Sequence, residues 1–274
     1  MEEIPAGAIS HKVALVGFPF DGNSSFLKGA AQAPAAIRNA LFSDSTNLWT
    51  ESGIDLGEGG VLIDAGDINV AESDFPQAVE QAVALLHEKG LRTIALGGDH
   101  SITYPTVRGI ARRHPGLTIL HFDAHPDLYR DFQGNPYSHA SPFARIMEQK
   151  VAARLVQVGV RTLNAHQQEQ AQHFGVEIIA MKDWNEGTPL KFAGALYVSV
   201  DMDVLDPAYA PGVSHQEPGG LSTRQLIKMI QALRAEIVGA DIVEFNPSRD
   251  PAGITAMACA KILKELAARM LDQG

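Results

Sequence analysis

Three short clusters of carboxylates and imidazoles stand directly behind apolar runs. They are Gly97-Gly98-Asp99-His100-Ser101 after RTIAL, Asp123-Ala124-His125-Pro126-Asp127 after LTILHF, and Asp201-Met202-Asp203 after ALYVSV. In extended chain, alternate side chains point the same way, so Asp123, His125 and Asp127 converge on one point, and Asp201 and Asp203 do likewise. His100 adds an imidazole from a third run, behind two glycines that let the backbone turn closely. The four carboxylates of Asp123, Asp127, Asp201 and Asp203, packed together, would repel and raise one another's pKa values unless cations sat among them. Two divalent ions balance that charge. Oxygen donors with a minority of imidazole and no thiolate suit Mn²⁺ better than a structural Zn²⁺, with Fe²⁺, Co²⁺ and Ni²⁺ compatible with the same donors. A lone Asp-Xaa-Asp is usually a turn, and a lone GGDH can simply end a strand. Three such motifs at three strand ends favour a two-metal centre. His121 sits inside its apolar run and reads as a packed, hydrogen-bonded core histidine. His11, His87, His114, His166 and His173 lie among surface-like residues and are assigned no role.

The elements that position these motifs are legible as an alternation. Eight short runs rich in β-branched residues (KVALVGF, GVLID, RTIALGG, LTILHFD, RLVQVGV, VEIIA, ALYVSVD and EIVGADIVEF) are separated by longer helical patterns. Helices are predicted over Phe75 to Lys89, Ile102 to His114, Thr223 to Arg234 and Thr255 to Met270, with Asp74 and Ser222 as N-caps and Gly90 as a stop. Strict alternation of this kind predicts an α/β protein with a largely parallel sheet covered by helices on both faces. In such sheets ligands bind beyond the carboxyl ends of the strands, where all three motifs fall. No repeat, low-complexity tract or long linker divides the 274 residues, so one domain over 1–274 is expected. The irregular stretch from Ser43 to Gly60 is either a lid or a surface excursion.

Composition excludes several classes. A net charge of -10, with Arg and Lys scattered, argues against nucleic-acid and anionic-membrane partners. No apolar run reaches membrane-spanning length, the single Cys259 reads as a buried structural thiol, and the start MEEIPAGAIS is acidic, so a cytoplasmic protein is expected.

The motifs GGDHS, DAHPD and SVDMDVLDPAYAPG, in this order, resemble the signature set of the ureohydrolase family, which includes arginases and agmatinases. The stretch VGFPFDGNSSFLKGAAQAPAAIR is similar to that family's amino-terminal strand, loop and helix, and YSHASPFARIME, APGVSHQEPGGLS and VGADIVEFNPSRD resemble plant-type arginases most. The resemblance implies a three-layer α/β/α fold with an eight-stranded, largely parallel sheet, and homotrimers or homohexamers. It also implies two Mn²⁺ per subunit, one held by His100, Asp123, Asp127 and Asp201, the other by His125, Asp123, Asp201 and Asp203. His139 matches the family's proton-shuttling histidine, and Glu244, which ends an apolar run, matches its guanidinium-binding glutamate; with Asp127 these form the expected catalytic set. Asp206 and Pro207 resemble the family's LDP turn and are expected to support their loop.

The implied reaction hydrolyses a small cationic guanidino substrate to urea, with L-arginine first and agmatine or a guanidino acid as alternatives. The loops that choose among these depart from the usual arginase pattern: the segment here is LYRDFQGNPYSHAS, and VSHQ replaces TGTP. Arg130, Asn135, Tyr137 and His215 are the residues expected to meet the substrate tail. A metallophosphoesterase would need an Asn-His motif, which does not occur, and a one-zinc deacetylase a His-His pair, which is also missing. A metal-binding regulator or inactive oligomeric partner retaining the fold is the non-enzyme alternative.

Overall fold

A computed structural model describes residues 12–272. Among these residues eight strands and seven α-helices alternate, except that β6 is followed directly by β7: β1 (Val13–Phe18), α1 (Ala33–Leu41), β2 (Leu62–Asp67), α2 (Gln77–Glu88), β3 (Arg92–Gly97), α3 (Thr103–Ala111), β4 (Thr118–Phe122), α4 (Pro142–Glu148), β5 (Arg154–Val158), α5 (Ala165–Phe174), β6 (Glu177–Ile179), β7 (Ala195–Asp201), α6 (Thr223–Ala232), β8 (Glu236–Val243) and α7 (Ile254–Leu271). The strands form one sheet in the order β2-β1-β3-β8-β7-β4-β5-β6, and every neighbouring pair is parallel.

Because alternate strand residues face opposite ways, each face of the sheet carries its own core. Val13, Leu15, Leu196 and Val198 pack with Ile37, Leu226, Ile230 and Leu263 of α1, α6 and α7. Val16, Phe18, Tyr197 and Val238 pack with Val83, Val107, Phe143 and Ala171 of α2 to α5. The result is the three-layer α/β/α arrangement implied by the alternation.

The eight strands fall where the apolar runs are, but two helical details differ. Asp74 lies in a preceding 3-10 turn, and α2 starts behind Pro76 with no side-chain cap, so Asp74 is not its N-cap. Ser222 does cap α6, in a reciprocal box with Gln225 that satisfies two free amides. Helix α5 (AHQQEQAQHF) has no apolar stripe to betray it; only Gln167 and Ala171 are buried, and Asn164 and Gly175 define its ends. The Ser43 to Gly60 stretch packs as a surface excursion against the last two helices: Glu51 pairs with Arg224 and Lys261, and Lys264 Nζ donates to Asn47 O at 2.8 Å. No helix among the described residues is long and apolar enough to cross a membrane. Cys259 is buried in α7, where burial pushes its thiol well up.

His87, assigned to the surface above, is instead buried on α2, where its Nε2 lies 3.1 Å from Thr93 Oγ1. Burial first, then His114 and Arg113, lower its pKa from 6.5 to about 4. A histidine with a depressed folded value adds no penalty above pH 6.5, but the unfolded chain protonates first as pH falls. Stability is therefore lost between about 6.5 and 4, by about 3 kcal/mol at the lower limit. Urea unfolding across this range should show a shallower decline for His87→Gln than for the parent chain, and parallel curves would refute the assignment.

Candidate active site

Strands β3, β8, β7 and β4 are consecutive in the sheet, so their carboxyl ends form one continuous rim. The chain leaves β3 for β4 and fills the gap with β7 and β8 only later, which creates a crevice where ligands collect in open parallel sheets. Each strand end delivers one of the chemically interesting segments: His100 behind β3, Asp123 to Asp127 behind β4, Asp201 and Asp203 at β7, and Glu244 behind β8.

Local conformation aims these side chains. Gly98 lies so close to the amino-terminal loop that a Cβ would collide with the Phe20 carbonyl. Asp99 caps the turn that follows, accepting from Ser101 N at 3.1 Å and from Asn23 N at 2.9 Å, so it both orders His100 and ties loop 21–25 to the rim. Burial, then the nearby Glu244 charge, raises the Asp99 pKa to about 6. Asp206 accepts from the amides of Ala208 and Gly219, which braces the loop behind Asp203. Asp127 and Glu244 have φ of 48° and 61°, a left-handed conformation that costs non-glycine residues of order 1 kcal/mol and concentrates at functional sites.

His100 Nδ1 is buried and makes no hydrogen bond, yet Asp127 Oδ2, Asp201 Oδ2 and Asp123 Oδ2 lie 3.0, 3.2 and 3.3 Å from it. A second convergence lies alongside: His125 Nδ1 is 2.9 Å from Asp203 Oδ2 and 3.3 Å from Asp123 Oδ1. Asp123 thus presents one oxygen to each imidazole. Converging donors that include Asp123 occur on both sides of it, His100 and His121 on one and His125 and Asp203 on the other. The orphaned Nδ1 of His100 and the crowd of carboxylates around it fit a pair of divalent cations. The protonation pattern agrees. Burial, then Asp203 and Asp123, pushes Asp201 well above the carboxylate range, and burial with Asp123 raises Asp203 to about 6 against the pull of His125. Protons take the role that cations would fill, so metal binding should release them.

His121 is buried, and Gln157 Nε2 lies 3.0 Å from its Nδ1 and 2.6 Å from Pro126 O. With Nδ1 accepting from the Gln157 amide, Nε2 carries the hydrogen and donates to Asp123 Oδ2 at 2.8 Å. Both ring nitrogens are thereby used in orienting Asp123, and neither lone pair is left for a metal.

Beside the metal cluster, Glu244 Oε1 accepts from His100 N at 2.8 Å and meets His139 Nδ1 at 2.9 Å, while His139 Nε2 lies 2.7 Å from Ser25 Oγ. Burial opposes charge on His139, but Glu244 outweighs it and holds the imidazole up to about 9. Glu244 moves the other way, below its ordinary value, because His139 and the His100 amide outweigh its burial. His215 stacks on His139 with ring centroids 5.3 Å apart.

These groups open into a cleft of about 210 Å³ lined by Ser25, His125, Asp127, His139, His215 and Glu244. Asp201 and Asp203 also reach it, and Tyr129, Phe132, Ala140, Thr162, Gln167 and Glu217 form the rest of the wall. Arg130, Asn135 and Tyr137 are not part of the lining. Arg130 is exposed, Asn135 Nδ2 donates to Asn23 Oδ1 at 3.0 Å, and Tyr137 packs against Tyr104 and Phe75. Their neighbours Tyr129 and Phe132 face the cleft instead, which spacing within an irregular loop could not reveal. Ser25 was also unread: it meets His139 from 114 positions away, and no local pattern signals that contact.

Fold and donor set define the class: a three-layer α/β/α protein with a two-cation centre at the carboxyl edge of its parallel sheet. The model of the arginase family matches residues 11–268. "Arginase 1, mitochondrial" of Arabidopsis thaliana is 46% identical over 96% of this chain and 82% of its own length. The solved arginase from Medicago truncatula superposes with a TM-score of 0.90 at 45% identity, covering 95% of this chain and 87% of that one. An agmatine ureohydrolase structure from Thermoplasma volcanium gives 0.84 at 33% identity, covering 96% and 90%. The chain belongs to the arginase family and is a metal-dependent amidinohydrolase.

The comparisons correct one expectation. The plant relatives from Arabidopsis thaliana and Medicago truncatula are named as mitochondrial proteins, so the cytoplasmic reading falls. It leaned on the start MEEIPAGAIS, which lies outside the described residues, and compartments are addressed by short segments whose signal the folded domain does not carry.

Proposed function

We propose that this protein hydrolyses L-arginine to L-ornithine and urea with two Mn²⁺ bound. In this reading His100, Asp123, Asp127 and Asp201 hold one ion, and His125, Asp123, Asp201 and Asp203 hold the other. The observation that carries it is the buried, unbonded His100 Nδ1 facing three carboxylates, next to a second imidazole that shares Asp123 with it. Resemblance to plant arginases over nearly the whole chain supports arginine as substrate. The same reading takes 1–274 as one domain and the assembly as a homotrimer or homohexamer.

When bound there, two divalent cations would lower the pKa of a water enough to provide a hydroxide nucleophile near neutral pH. The remaining work falls to the protein's own groups. Glu244, fixed by the His100 amide and by His139, accepts hydrogen bonds from the planar guanidinium and holds its carbon in place. His139, kept protonated by Glu244, delivers a proton to the departing amine, with Ser25 holding its Nε2. His215 and the aromatic wall of Tyr129 and Phe132 narrow the cleft around the substrate's methylene chain.

A second reading, agmatine as substrate, is favoured by one feature: neither Lys nor Arg lines the cleft, whereas Glu217 does. A carboxylate at that position suits an ammonium tail, and an α-carboxylate would depend on uncharged donors such as Thr162 and Gln167. Urea release should be compared for L-arginine, agmatine, guanidinobutyrate and guanidinopropionate by kcat/KM. A preference for L-arginine of tenfold or more, about 1.4 kcal/mol of discrimination, is the expected outcome. A preference for agmatine of that size would transfer the assignment to the second reading.

A further inference from the structure

We propose that Asp241, a fully buried carboxylate in the middle of β8, is a positioning residue for the metal centre, acting through Ser199 on His100. It is a charged residue set inside an apolar strand, and nothing in the reaction uses it directly. Three hydroxyls surround it: Thr103 Oγ1 and Tyr197 Oη each donate to Oδ2 at 2.6 Å, and Ser199 Oγ donates to Oδ1 at 2.7 Å. Ser199 Oγ in turn lies 3.0 Å from His100 Nε2. The five residues come from β7, β8, the start of α3 and the turn after β3, so the network crosses the two central strands beneath the rim.

Hydrogen counting fixes the direction of this relay. A carboxylate only accepts, so the single Ser199 proton is committed to Asp241. The serine oxygen must then accept from His100, which places the imidazole hydrogen on Nε2. Nδ1 is then the ring nitrogen left for a cation, or for a proton while no cation is bound, and it is the atom that faces Asp123, Asp127 and Asp201. Partners behind a liganding histidine commonly set its tautomer and raise its basicity in this way. Asp241 thus fixes which ring nitrogen of His100 is presented to a cation, and does so on one side of the cluster only, because among the described residues His125 makes no direct hydrogen bond to Asp241, Ser199, Thr103 or Tyr197.

Asp241→Asn should reverse the order. Two hydroxyl donors at Oδ2 select the amide oxygen for that side, which turns the NH₂ toward Ser199. The serine would then accept from the amide and donate to His100 Nε2, so the hydrogen would move to Nδ1 and block the lone pair. An Asp-to-Asn change behind a catalytic histidine acts through the same wrong-tautomer effect. Ser199→Ala removes the link while leaving Asp241 its contacts with Thr103 and Tyr197, and Ser199→Thr keeps the hydroxyl.

The inference rests on the two-metal reading above, and one experiment separates the two: Mn²⁺ titration of the chelated full-length chain, followed by calorimetry, with circular dichroism of each metal-free variant alongside. Two binding events in the parent chain support the two-metal reading, and fewer would remove it together with this inference. Given two events, Asp241→Asn should weaken one of them at least about 100-fold, and Ser199→Ala about 10- to 100-fold. The other event should stay within about threefold, and Ser199→Thr should restore the weakened site. Unchanged affinities, or both sites weakened equally with a lowered melting temperature of the metal-free chain, would overturn the role assigned to Asp241. If Asp241→Asn does not fold, the Ser199 pair alone decides.

Discussion

Asp201→Ala is expected to lower urea formation at least about a thousandfold and to leave the chain with fewer than two bound cations, because its carboxylate is assigned to both ions. The same change should act oppositely on the metal-free protein. Asp201 is buried against Asp203 and Asp123, and burial followed by these neighbours raises its pKa well above the ordinary value. Removing the carboxylate removes a group that is costly to bury without a counterion. The metal-free variant should therefore melt at or above the temperature of the metal-free parent, while the stabilisation that Mn²⁺ gives the parent disappears. For the parent, saturation at 1,000 times the dissociation constant corresponds to about 4 kcal/mol per site. Thermal melts with and without Mn²⁺, paired with metal analysis, check both signs at once. Full activity with two cations retained would remove Asp201 from the centre.

Glu244→Gln should separate substrate handling from metal binding. The amide keeps the shape but not the charge that orients His139 at 2.9 Å and accepts from the His100 amide at 2.8 Å. Loss of a buried charge-assisted pair typically costs about 3 to 4 kcal/mol, so kcat/KM should fall about 10²- to 10³-fold. Both kcat and KM should suffer, since Glu244 is assigned to hold the guanidinium and to keep His139 protonated. The variant should still take up two Mn²⁺. Loss of metal uptake would instead make Glu244 a support for the cluster, and a change below threefold in kcat/KM would remove it from the mechanism.

The parts of the site that were legible in the sequence are those whose geometry is local. Asp123, His125 and Asp127 stand within five residues, and Asp201 and Asp203 within three, so short spacing alone keeps each set together, although tight turns and not strand alternation aim them: Asp127 is left-handed and Asp203 lies in a 3-10 turn. That β3, β8, β7 and β4 lie side by side is a different kind of fact, since the order of parallel strands is set by crossover packing over the whole chain. The hydroxyl and carboxylate network beneath His100 was missed, although Tyr197, Ser199 and Asp201 share a strand face and Asp241 interrupts an apolar run. Those signals were present, and attention to polar residues inside strands would have found them. Ser25 and the Glu217 wall depend on loop conformation and leave no periodic trace. Helix α5 escaped because its surface is polar almost all round, and Asp74 failed as a cap because a turn and Pro76 intervene before α2 begins.

The most direct test of the account is stepwise addition of Mn²⁺ to the chelated protein, with bound metal and urea release from L-arginine measured on the same samples. Activity should be absent without metal, and should rise with bound Mn²⁺ to a plateau at two ions per chain. Urea formation by the metal-free protein, or two bound ions with no urea from any of the four guanidino compounds, would contradict it.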